Sequence, residues 1–143
     1  MNTTHNAIAT LDKAITEKIH LRRRVFTGNE NHHINLTDAS RLTKRYRDSV
    51  PADAMKGGYF GRVIFEKVLA QEGCVGIRCY FAAFDDRTPT IVLAGVEKTG
   101  NDLWEGVLGE DVCPCPPFCS EYNPLNSNGT EQALTLKRKT MVF

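Results

Sequence analysis

The stretch GGYFGRVIFEKVLAQEGCVGIRCYFAAFDDRTPTIVLAGVEKTGND, residues 57–102, decides the fold. Its first half has the spacing of a helix: Val68 and Leu69 follow Ile64 at four and five residues, with Val63 and Phe65 broadening the face. Gly73 follows where a left-handed residue closes a helix. The period then becomes two. Val75, Ile77, Cys79, Phe81 and Ala83 alternate with Gly76, Arg78, Tyr80, Ala82 and Phe84, as in a β-strand with two unlike faces. Asp85-Asp86-Arg87-Thr88-Pro89 is a turn, and Thr90–Glu97 returns as a second strand, giving an antiparallel hairpin. This reading makes the helix buried, makes the first strand part of the core, and gives Cys74 and Cys79 structural roles.

An isolated hairpin is marginal, so it needs a third strand or a cover. Leu103–Leu108 is the candidate strand, and the flanking helices supply the cover. Upstream, Ile34–Leu36 reads as a short strand. Thr37 and Asp38 cap a helix through Asp48 whose apolar face is Ala39, Leu42 and Tyr46. Val50-Pro51 ends it, because a residue before proline avoids the α region. The Gly57, Gly58 and Gly61 cluster lacks the Lys-Ser/Thr of a phosphate loop and reads as a flexible turn. Beyond Glu110, DVCPCPPFCSEYNPLNSNG is too rich in proline for a regular element.

The expected fold class is therefore α+β: helices packed on a small antiparallel hairpin or meander, preceded by an N-terminal amphipathic helical arm. In that arm Ile8, Leu11, Ile15 and Ile19 share one helical face. Residues 1–33 form the arm and linker, 34–127 one core domain closed by the Cys/Pro loop, and 128–143 a tail ending in the apolar Met141-Val142-Phe143.

Composition bounds the function. The 143 residues carry a formal net charge of +1, with 41% hydrophobic and 24% charged residues, as in an ordinary globular domain. So even a balance argues against a dedicated nucleic-acid binder, although Arg22–Arg24 and Arg41, Lys44, Arg45 and Arg47 form local basic runs. No apolar run is long enough to cross a bilayer and the N-terminus lacks the pattern of a secretory signal, so the expected location is the cytoplasm. There, five cysteines are expected as thiols or metal ligands before a disulfide framework.

Cys113, Cys115 and Cys119 could present three thiolates to one zinc ion, with Cys74, His32 or His33 as fourth ligand. Thiol redox chemistry and plain packing of the loop cysteines are the competing readings. All four histidines, His5, His20, His32 and His33, precede the core, which disfavours a triad-type catalytic site. Asp85-Asp86 and Asn101-Asp102 are loop-tip carboxylates that more often bond their own backbone than a cation. Arg78 shares a strand face with Tyr80. An arginine there requires a carboxylate, with Glu97 or Glu66 as candidates, or an interface. A homo-oligomer or another protein partner, met through Ile8, Leu11, Ile15, Ile19, Arg78, Tyr80, Met141, Val142 and Phe143, is the expected function.

Gly73-Cys74-Val75-Gly76-Ile77-Arg78, Leu93-Ala94-Gly95-Val96, Gly100-Asn101-Asp102, Cys115-Pro116-Pro117-Phe118-Cys119 and Pro124-Leu125-Asn126-Ser127 recur in order. In these, residues 34–127 resemble a family of short uncharacterised bacterial proteins. The resemblance supports the element boundaries and brings no activity with it.

Overall fold

The computed structural model describes residues 25–127, in which α1 (Leu36–Ser49), β1 (Gly57–Tyr59), α2 (Arg62–Leu69), β2 (Cys74–Ala83), β3 (Pro89–Glu97), β4 (Leu108–Gly109) and β5 (Cys113–Cys115) follow in order. The fold is α+β. Two antiparallel sheets carry it, a three-stranded one in the order β2-β3-β4 and a ribbon of β1 with β5. The arm residues Ile8, Leu11, Ile15 and Ile19 and the tail residues Met141, Val142 and Phe143 lie outside the described residues.

α1 starts one residue before the expected cap. Asn35 Oδ1 accepts the Asp38 N–H at 2.9 Å, so asparagine rather than Thr37 closes the first turn, and residues 34–36 form no strand. None of its residues is buried, and Leu42 and Tyr46 stay exposed. α2 is shorter than its periodicity suggested and presents one face, with Val68 completely buried but Val63 and Leu69 exposed. Gly73 takes φ +75°, as its place after the helix required.

The hairpin registers Gly76 against Val96 through Ala83 against Pro89, after a bulge between Cys74 and Gly76. β3 is the central strand: Thr90, Leu93, Ala94 and Val96 are buried. α2 covers the Leu93 face. A Cβ on Gly109 would lie 2.6 Å from Ile64 Cγ1 and 3.3 Å from Leu93 Cβ, which locates that seam. The third strand is smaller than expected, the two residues of β4 and an isolated bridge of Asp102 to Val96, because Leu103 leaves the ladder after donating its N–H to Gly95 O.

Further expectations are corrected as well. β2 is an edge strand, not core: Cys79 is exposed and Phe81 is 92% exposed. The proline-rich segment also holds a strand, since β5 pairs Cys113 with Tyr59 and Cys115 with Gly57. Pro114 lies opposite Gly58, and the apparent flexible turn at Gly57-Gly58 is the partner strand β1. Gly58 is there because the ribbon runs close to Val112: an added Cβ would fall 2.2 Å from Val112 Cγ2.

Candidate functional site

Three groupings of side chains could carry function, and each depends on chain segments far apart in sequence. The first is polar. Asp102 accepts from the Arg78 guanidinium with one carboxylate oxygen and from the Tyr80 hydroxyl with the other, while Arg78 Nη2 also donates to Gly100 O at 3.1 Å. Asp102 is 19% exposed and Arg78 34%, so water reaches the pair only in part. Tyr80 first and the Asp102 charge next hold the guanidinium above its ordinary range, against the opposing pull of partial burial. The carboxylate for Arg78 is thus Asp102, not Glu97 or Glu66. Glu97 instead accepts from Thr99 and Asn101, which lowers its own pKa, and Glu66 pairs with Arg62 at 2.5 Å. The turn at Gly100 returns the chain along β3, and only the fold then carries Asp102 within reach of the lone arginine on β2.

The second grouping is the cysteine ribbon. Cys115 and Cys119 form a disulfide with a Cα–Cα distance of 4.7 Å, and Cys113 is a free, exposed thiol. A tight turn makes this closure: Phe118 N–H donates to Pro114 O at 2.8 Å and Cys119 N–H to Pro117 O at 3.0 Å. The expected set of three thiolates for zinc is therefore not what the loop presents. Two of the sulfurs are bonded to each other, and among the described residues no group of three or more His, Cys, Asp or Glu is placed to hold a metal ion. His32 and His33 are exposed in the segment leading to α1. Cys113 and Cys115 lie two apart on one strand and so share a face of the ribbon. Cys113 opens on a cleft of about 370 Å³ whose other wall is Tyr59, Phe60, Arg62, Val63 and Lys67.

A family comparison adds nothing to these features: no family model, no curated protein and no solved structure matches the chain.

The third grouping is apolar. Phe81, Tyr80 and Phe84 on β2 and its following turn, Val63 and Leu69 on α2, and Leu108 on β4 are all exposed. The basic face of α1 is largely engaged within the chain. Arg41 pairs with Asp38 at 3.0 Å, Lys44 with Asp48 at 2.5 Å, and Arg47 donates to Leu125 O at 2.5 Å and Ser127 O at 3.1 Å. Arg47 in this way ties the closing loop to α1. The loop-tip carboxylate Asp86 serves its own turn by accepting the Thr88 N–H at 2.9 Å, which lowers its pKa. Among the described residues no helix is long and apolar enough to cross a membrane.

Proposed function

We propose that this protein is a self-assembling, non-enzymatic module. One observation carries the reading: the described chain buries five hydrophobic residues, Val68, Leu93, Ala94, Val96 and Val112, while leaving aromatic side chains such as Tyr59, Phe81, Trp104 and Phe118 largely in water. So small a core under so much exposed apolar surface favours association, which removes further area from water. Size-exclusion chromatography with light scattering on the full chain tests it. A mass of two or more chains supports the reading, and a monomer at every accessible concentration defeats it.

A second reading rests on the Cys115–Cys119 disulfide with Cys113 beside it on β5. Such a unit suits thiol–disulfide exchange with a partner dithiol: an incoming thiolate bonds to one sulfur, the other leaves as thiolate, and the partner's second thiol releases the protein in its reduced form. Alkylation under denaturing, non-reducing conditions is expected to label Cys74, Cys79 and Cys113 alone, and all five cysteines after reduction. Five labelled cysteines without reductant would remove this reading.

A further inference from the structure

The outer edge of β2 has no partner strand among the described residues, and the hydrogen-bond parity of the hairpin shows which groups it leaves free. Phe84 N–H donates to Thr88 O, Leu103 N–H donates to Gly95 O, and Glu97 N–H donates to Asn101 O. Odd-numbered β3 residues therefore turn their backbone groups away from β2. Even-numbered β2 residues take up the ladder to β3, and Ile77, Cys79, Phe81 and Ala83 direct their N–H and C=O groups to the free side. None of the described residues pairs with them. The free run begins at Ile77 because the bulge lies between Cys74 and Gly76 and the backbone of Gly28 packs against Val75, where an added Cβ would meet Val75 O at 2.6 Å.

Edges left open in this way are normally guarded by lysine, proline or an inward charge. Residues 77–83, IRCYFAA, contain none of these guards, and their one charge, Arg78, is held by Asp102. We propose that two chains join antiparallel through β2 about a twofold axis at Tyr80, giving a continuous six-stranded sheet. This rests on the self-assembly reading above and names its surface. Parity requires odd residues to face odd residues, and the register with Tyr80 opposite Tyr80 spans the whole free run from Ile77 to Ala83. In that register Phe81 meets the partner's Cys79 and Ile77 meets the partner's Ala83, so each large side chain faces a small one. Arg78 meets the partner's Ala82, and no like charges are opposed. The same pairing brings Phe81, 92% exposed in the single chain, against a neighbour.

Light scattering on the full chain tests the proposal with two variants that act differently. Phe81→Lys places a charge on the edge, and Cys79→Pro removes an N–H that β3 does not use. Each is expected to weaken dimerisation by about tenfold or more with the circular dichroism spectrum retained. As a third arm, Tyr80→Cys in a Cys79→Ser background places two sulfurs on a non-hydrogen-bonded pair about 4.5 Å apart at Cα, and oxidation is expected to link residue 80 to residue 80. A dimer that survives both edge variants, or a dimer without that cross-link by peptide mapping, overturns the β2 interface and leaves assembly through another surface standing. A wild-type monomer overturns both.

Discussion

Asp102 and Arg78 meet across the central strand, from opposite sides of β3, in an ion pair that also accepts the Tyr80 hydroxyl. Replacing Asp102 by alanine removes the carboxylate from the Tyr80 phenol and from Arg78, which keeps only its bond to Gly100 O, in a half-buried setting. Because Arg78 is about a third open to water, solvent compensates in part, and the expected loss is about 1–2 kcal/mol. Urea denaturation of Asp102→Ala, Arg78→Ala and the double variant gives the coupling directly. Additive losses would mean that the pair contributes nothing beyond its separate parts.

Leu93 and Phe81 show that the more apolar strand of the hairpin is not the buried one. Leu93 is 1% exposed under α2, so Leu93→Ala opens a cavity and is expected to cost about 3 kcal/mol. Phe81→Ala, on the edge, should change the stability of the single chain by about 0.5 kcal/mol or less. Thermal unfolding at a concentration where the chain is monomeric separates the two. Equal losses would place β2 in the core after all.

Gly58 has no room for a methyl group beside Val112, which is itself buried. Gly58→Ala is expected to destabilise by about 1–3 kcal/mol, since the added methyl would run into the buried Val112 side chain, 2.2 Å from its Cγ2. Adding Val112→Ala should recover part of the loss. No recovery would mean that the glycine is needed for another reason.

Glu30, in the described segment ahead of α1, has a strongly lowered carboxyl pKa. Its Oε1 accepts the Thr27 N–H at 2.6 Å and the Thr27 hydroxyl at 3.0 Å, and its Oε2 accepts the Gly28 N–H at 3.0 Å. These bonds, the Thr27 amide foremost, lower its pKa from 4.5 to about 2. A depressed folded-state value means that the contribution is complete above about 4.5 and disappears as the pH falls through about 2. A carboxyl NMR titration of Glu30 is expected to show the low midpoint, with the Thr27 amide shift following it. A midpoint near 4.5 would show that the turn does not hold the carboxylate.

Local chemistry explains what could be read without the structure. The helix at Arg62–Leu69, the left-handed Gly73, the period-two run from Cys74 and the five-residue turn all depend on neighbours within a few positions, and residue type fixes them. Short-range bonds can also be misjudged by a residue or two, as at the start of α1, where Asn35 caps the helix two residues before the expected Thr37. The prolines of the cysteine loop disfavour a strand, yet Pro114 fits because β5 sits in a two-stranded ribbon whose unpaired side needs no N–H.

The sequence by itself determined that this is an α+β chain built on a hairpin, because side-chain period and turn residues act locally. Only the tertiary structure decided that β3 is the buried strand and β2 the edge, that Asp102 answers Arg78, and that Cys119 closes on Cys115 while Cys113 stays free. The physical reason is the same in each case. Which of two largely apolar strands is buried is decided only when a third element packs beside one of them, and a charge or a thiol acquires its partner only when distant segments are brought within a few ångströms.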